Sequence, residues 1–104
     1  MTIILNTDKH IDGHERLENY VKETIAEELE RFNDYVTRIE VHLSDENGEK
    51  EGNNDKKCIL EARVKGKQPI AVTSHDNAVE RALYSAIEKL RASLAKMKDK
   101  ANEH

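Results

Sequence analysis

The apolar positions of the chain recur with two different periods, and the longest run with helical spacing closes the sequence. Between residues 74 and 100, apolar side chains fall within one sector of a helix that turns about 100° per residue: Val79, Ala82, Leu83, Ala86, Ile87, Leu90, Leu94 and Met97. This spacing predicts an amphipathic helix whose apolar stripe packs on the core. Ser74 is its expected N-cap, and Asp76 in the first turn suits the positive end of the helix dipole.

An earlier segment, which follows a turn at residues 10–13 and continues to Phe32, also has helical spacing. Its apolar residues are Leu17, Tyr20, Val21, Ile25, Leu29 and Phe32. Asp12 is the expected N-cap, with Glu15 in the capping-box position. Glutamates dominate the other positions, so this helix is predicted to be acidic. Glu28 falls close to the apolar sector, where it either reaches out to solvent or meets a cation.

Four stretches have the alternation or β-branched composition of strands, and they cover residues 2–6, 35–43, 57–65 and 70–73. With the two helices they predict an α+β fold of order β-α-β-β-β-α, a four-stranded sheet with both helices packed on one face. The other face is expected to stay wet, lined by Arg38, Glu40, His42, Lys57, Glu61, Arg63 and Lys65. Residues 44–55 contain no apolar residue and two glycines, which predicts a flexible acidic loop between two antiparallel strands.

The length and charge of the chain add two expectations. A chain of 104 residues predicts a single domain over 1–104. The net charge of −4 hides an asymmetry, because residues 1–55 hold 6 Lys/Arg against 15 Asp/Glu, whereas residues 56–104 hold 11 against 6. The carboxyl-terminal half can therefore present a positive surface to a polyanion although the whole chain is acidic.

The candidate chemistry favours a binding module over an enzyme. The single cysteine, Cys58, excludes an internal disulfide and lies at an inward strand position, as a buried thiol does. His10 and His14 straddle a turn, so they do not form a helix-borne metal pair, and the acidic loop does not fit EF-hand spacing. The sequence has no phosphate-binding loop, serine elbow or HExxH motif. We therefore expect no catalytic residue, metal or cofactor.

The single cysteine and the absence of any apolar run of about 18 residues together predict a soluble, intracellular protein. Phe32 and three tyrosines are the only aromatic residues, which argues against base stacking and favours recognition of folded RNA by its shape and phosphates. The cations of the carboxyl-terminal half would supply the phosphate contacts. The predicted RNA-binding residues are Lys57, Arg63, Lys65, Lys89, Arg91, Lys96, Lys98 and Lys100, and Lys67 belongs to the same positive set.

Four segments carry a resemblance to a known family: VHLSDENG at 41–48, CILEAR at 58–63, AIEKL at 86–90 and KMKDK at 96–100. They resemble the bacterial ribosome hibernation promoting factors, a family that includes ribosome-associated inhibitor A and sigma modulation protein. The resemblance covers nearly the whole chain and is most specific in the last helix. It implies a fold similar to double-stranded RNA binding domains.

The resemblance also implies a function. Members of this family bind the small ribosomal subunit in the channel used by messenger and transfer RNA, and they reversibly silence translation in starved or stationary cells. By position, the eight cations predicted above inherit the contacts to ribosomal RNA. The chain is similar to short family members, which lack the carboxyl-terminal domain that pairs ribosomes.

A second hypothesis stays open from the sequence. A protein of the same fold could use the acidic helix and the acidic loop to bind a basic protein partner, with its ribosome binding lost. Co-sedimentation with ribosomes, with and without nuclease treatment, separates this protein-binding module from a cytoplasmic translation inhibitor.

Overall fold

The computed structural model describes residues 1–11, 13–46 and 55–101. Its elements follow the order β1 (Thr2–Thr7), α1 (His14–Glu28), β2 (Val36–Asp45), β3 (Lys56–Val64), β4 (Ile70–Asp76) and α2 (Val79–Ala101). A short 3-10 turn, Glu30–Phe32, lies between α1 and β2. The predicted α+β fold with its β-α-β-β-β-α order is confirmed.

The four strands form one sheet in the spatial order β1-β2-β3-β4. The strand β1 runs parallel to β2 because α1 carries the chain back across the sheet between them, whereas the two later pairings are antiparallel. In this register Leu5 lies beside Val41, and Val41 lies beside Leu60. These neighbours form one of the apolar rows on which the helices pack.

Both helices contribute to a single core on one face of the sheet. The α2 stripe buries Ala82, Leu83, Ala86, Ile87, Leu90 and Leu94 completely, while Val79 and Met97 are half-buried at its margins. Side chains of alternate parity on β2 and β3 lie on the other side, which we call the open face: Arg38, Glu40, His42, Lys57, Ile59, Glu61 and Arg63. Of the residues predicted there, Lys65 lies beyond the end of β3, in the turn to β4.

The predicted start of the last helix is wrong, because Ser74 and Asp76 belong to β4. The strand β3 begins at Lys56. Every residue of β4, from Ile70 to Asp76, has a partner on β3, with Ser74 beside Cys58 and Asp76 beside Lys56. Ser74 points into the core and is 2% exposed. A helix beginning at Ser74 would break these last rungs of the ladder, so α2 begins at Val79 instead, where the Ala78 carbonyl accepts the first helical hydrogen bond at 2.9 Å.

Other boundaries also differ from the prediction. Helix α1 ends at Glu28 rather than Phe32, because Leu29 leaves the helical region at φ −113° and a 3-10 turn follows. It begins after Gly13, whose φ of 69° is in the left-handed region that favours glycine. The predicted cap Asp12 lies outside the described residues. Strand β2 continues to Asp45, and most of the predicted acidic loop, residues 47–54, is likewise outside them.

Candidate nucleic-acid interface

The predicted RNA-binding residues lie in three different parts of the fold. Lys57 and Arg63 occupy opposite ends of the open face of β3, Lys65 lies in the turn that follows, and the other five lie on α2. Strand geometry separates Lys57 from Arg63 by about 20 Å, at roughly 3.3 Å per residue. The eight predicted cations therefore do not form one continuous patch.

Lys57 lies at an end of the sheet that is rich in carboxylates. Its Nζ is 3.4 Å from Glu46 Oε1, which also lies 3.6 Å from His75 Nε2. The neighbouring Lys56 binds the buried carboxylates of Asp45 and Asp55, at 3.2 and 3.1 Å. Hydrogen bonds to Asp55 and then to Asp45 raise the pKa of Lys56 above its usual 10.5. Lys56 and Lys57 are therefore both paired with nearby carboxylates.

Lys89 forms a hydrogen bond with the edge of the sheet. Its Nζ donates a 2.6 Å hydrogen bond to the Thr73 carbonyl, on β4. Since β4 is an edge strand, part of its backbone is not satisfied by a neighbouring strand. The lysine stem follows the side of α2 and its ammonium satisfies one edge carbonyl, so Lys89 stabilises the fold as well as carrying charge.

Arg91 is held between the two helices. Its guanidinium forms charge-assisted hydrogen bonds with Glu88 on its own helix, at 2.6 Å, and with Glu28 on α1. The Arg91 side chain is 29% exposed. Glu28 therefore meets a cation, which was one of the two alternatives left by the sequence, and Arg91 is the cation it meets.

The remaining predicted cations lie at the other end of the molecule, together with Lys67, which the sequence placed in the same positive set, and Arg31, which it did not. This group, the basic end, comprises Arg31, Arg63, Lys65, Lys67, Lys96 and Lys98, all exposed. Within the described residues none of them forms an ion pair, although exposed acids at Glu30, Asp34 and Asp99 lie nearby in sequence.

Several contacts bring the basic end together. The Lys65 backbone N–H donates to the Tyr35 carbonyl at 3.1 Å, which places the turn between β3 and β4 beside the start of β2. Lys96 and Ile70 line one shallow groove, so the end of α2 lies over the start of β4. Lys98 lies 6.0 Å from the centre of the Phe32 ring. Lys100 continues α2 beyond this point, and its side chain lies outside the described part of the structure.

The opposite end, the acidic end, comprises Asp8, Asp45, Glu46, Asp55 and Asp76. The Asp45 N–H donates to Asp8 Oδ2 at 3.1 Å, and the Glu46 N–H donates to the Asp55 carbonyl at 2.8 Å. Asp76 pairs with Arg81 at 3.3 Å. The molecule is 52 Å along its longest axis. Most acids of the acidic end are paired with Lys56, Lys57 and Arg81, whereas the cations of the basic end form no ion pair within the described residues.

Sequence reasoning missed Arg31 as a member of the basic end. Its guanidinium stacks 4.6 Å from the centre of the Phe32 ring, which is fully buried. Arg31 was counted with the acidic half of the chain, where glutamates surround it in sequence. One feature of the sequence could have placed Arg31 at this end. Arg31 precedes Phe32, the last residue of the apolar stripe of the first predicted helix, so it lies where the chain leaves that helix and approaches the start of β2.

Cys58 is not a candidate nucleophile. It is completely buried in β3 on the core face. Burial raises the pKa of its thiol from 9.0 to about 12, which leaves no reactive thiolate near neutral pH. None of the helices in the described residues has the length and apolarity needed to span a bilayer.

Comparisons with known proteins agree with this architecture. The family model described as sigma 54 modulation protein / S30EA ribosomal protein matches residues 4–102. The chain is similar to the Protein Y N-terminal domain of Thermus thermophilus, with 16% identity and a TM-score of 0.74, over 93% of this chain and 99% of that one. It is also similar to a ribosomal subunit interface protein from Coxiella burnetii, with 17% identity and a TM-score of 0.68, over 95% and 99%. A search of curated protein sequences gives no match.

Proposed function

The chain belongs to the sigma 54 modulation protein / S30EA ribosomal protein family, and from this premise we propose that it binds the small ribosomal subunit through ribosomal RNA. Bound there, it would silence or protect ribosomes in stressed or stationary-phase cells. This is a stoichiometric binding function with no chemical step, and it requires the protein to be in the cytoplasm with the ribosomes.

The observation that carries the RNA part of this proposal is the basic end. Its cations are exposed and make no ion pair with any other described residue, so they are available to phosphates. Each phosphate that they neutralise releases condensed counterions, which supplies affinity without reading bases. Recognition by shape and phosphate is also favoured because Phe32, the ring at the basic end, is buried, and the exposed ring of Tyr84 lies in the first half of α2, away from that end.

Within the predicted set, we assign the main phosphate contacts to Arg63, Lys65, Lys96 and Lys98, with Lys100 extending the same helix. Lys57, Lys89 and Arg91 have intramolecular partners. An RNA phosphate would have to compete with those partners or share the cation with them. These three are therefore assigned a smaller part of the affinity.

The test is co-sedimentation of the purified protein with separated small and large ribosomal subunits. The triple variant Lys65→Glu/Lys96→Glu/Lys98→Glu should lose binding at moderate salt, because it reverses three exposed cations of the basic end. The native protein should appear in the small-subunit fraction at the same salt.

A matched variant controls for net charge. Lys9→Glu/Arg16→Glu/Lys22→Glu changes the formal charge by the same amount at exposed positions on or before α1, and it should retain binding. A native protein that stays unbound even at low salt would refute ribosome binding. Equal losses in both triple variants would refute the assignment to the basic end.

A further inference from the structure

Three side chains with metal-binding atoms meet on the open face, away from both charged ends. Glu40 and His42 are two residues apart on β2, so they lie on the same face, and Glu61 lies directly opposite Glu40 on β3. His42 Nε2 lies 3.9 Å from Glu40 Oε2 and 3.5 Å from Glu61 Oε1. One ligand atom from each residue lies within 4.8 Å of the others.

The two distances from His42 Nε2, 3.5 and 3.9 Å, are close to those of a zinc site, and the widest separation in the group, within 4.8 Å, has to shorten when an ion binds. Ligands held at about 2.0–2.1 Å in a tetrahedron around Zn²⁺ are about 3.3 Å apart. The side chains of Glu40, His42 and Glu61 are 32%, 39% and 50% exposed, so small rotations can bring the ligand atoms to that spacing. The strands hold the three Cα atoms, and the backbone would not have to move.

Two carboxylates meet in this group, and two arginines, Arg38 and Arg63, border it on the same face. Glu40 and Glu61 are cross-strand neighbours of like charge, an arrangement that destabilises a sheet. Arg38 forms a charge-assisted hydrogen bond with Glu40 Oε1, which leaves Oε2 facing His42. A carboxylate whose second oxygen is hydrogen-bonded in this way is typical of metal ligands. A divalent ion among the three residues would relieve the repulsion that remains.

We infer that Glu40, His42 and Glu61 form a binding site for Zn²⁺, with solvent at the remaining coordination position. An imidazole with two carboxylates suits Zn²⁺, whereas Mg²⁺ and Ca²⁺ prefer oxygen ligands alone. The only thiol, Cys58, is on the opposite face of the sheet. The inference does not depend on ribosome binding, because all three ligands come from this chain.

The test is a calorimetric titration of the untagged 104-residue chain with Zn²⁺. We expect a single saturable site with micromolar affinity. His42→Ala and Glu61→Gln should each weaken binding by about tenfold or more, since each removes a ligand. Because these side chains are exposed, circular dichroism should show that both variants fold normally.

His75→Ala is the matched control, because His75 is also exposed on the sheet but, among the residues that the structure describes, forms an ion pair with one carboxylate, Glu46 at 3.6 Å. It should leave the affinity unchanged, and an excess of Mg²⁺ should not displace Zn²⁺. As a measurement on the native protein, Zn²⁺ should shift the NMR signals of the His42 ring. Absence of saturable binding, equal loss in His75→Ala, displacement by Mg²⁺, or an unperturbed His42 ring would each overturn the site.

Discussion

At the scale of single residues, Arg91 is predicted to act mainly in stability and only to a small extent in RNA binding. It joins the two helices through Glu28 and is only 29% exposed. Arg91→Ala should therefore lower the free energy of unfolding by about 1 kcal/mol, the range of a well-formed but partly solvated ion pair. Urea unfolding of Arg91→Ala, Glu28→Gln and the double variant measures this, and the two single effects should be non-additive.

Lys96→Ala is the control for this prediction. Lys96 is exposed and forms no ion pair with a described residue, so its removal should change the unfolding free energy by less than about 0.5 kcal/mol. It should weaken small-subunit binding more than Arg91→Ala does. The assignment fails if Arg91→Ala unfolds like the native protein and loses ribosome binding instead.

The ion pair between Glu28 and Arg91 shows that helical periodicity predicts where a residue lies around its helix but not which residue of another helix it contacts. The spacing placed Glu28 correctly at the margin of the apolar sector, because angular position follows from the period alone. Arg91 lies 63 residues later in the chain. Which flank of one helix faces which flank of the other is decided by how both pack on the sheet, so the pair could not be predicted from either helix separately.

At the scale of elements, the strand and helix assignments followed from periodicity, and the boundaries depended on pairing. Ser74 has the side chain of a good N-cap, and local sequence favours that role. The ladder with β3 overrides the local preference, since pairing of Ser74 with Cys58 and of Asp76 with Lys56 satisfies backbone groups that a helix start would leave open.

Lys56 is predicted to stabilise the end of the sheet where β2 ends and β3 begins. Asp45 and Asp55 are 7% and 6% exposed, and Lys56 lies within 3.2 Å of both. Lys56→Met should lower the urea midpoint of unfolding, because it leaves two buried carboxylates without this cation. The pKa of Lys56 is raised in the folded state, so its contribution is fully present below pH 10.5 and is lost as pH rises through the higher folded value.

Lys57→Met provides the comparison on the adjacent residue. Lys57 pairs with Glu46, whose side chain is 47% exposed, so water can replace the lost partner. We expect a clearly smaller change in the urea midpoint at neutral pH. Equal midpoints for the two variants would show that the buried carboxylates do not depend on Lys56.

At the scale of the whole molecule, the sequence predicted charge polarity but divided the charges incorrectly. Counting by halves of the chain placed Lys56 and Lys57 with the basic half and Arg31 with the acidic half. In the folded chain, a charged residue lies at the end of the sheet where its own strand or helix begins or ends. Lys56 and Lys57 therefore join the acidic end, and Arg31 joins Lys65 and Lys98 at the basic end.

The arrangement of cations at the basic end predicts how the affinity for the small subunit responds to salt. If about five cations of the basic end contact phosphates, a plot of log affinity against log salt should have a slope of about −4. Lys65→Glu/Lys96→Glu/Lys98→Glu should reduce that slope by about 2 or more, because three contacts no longer release counterions. Lys9→Glu/Arg16→Glu/Lys22→Glu carries the same formal charge but leaves the basic end intact, so its slope should match that of the native protein. Filter binding across a salt series distinguishes the two cases: equal slopes for the two triple variants would mean that affinity follows net charge and not the arrangement of cations at one end.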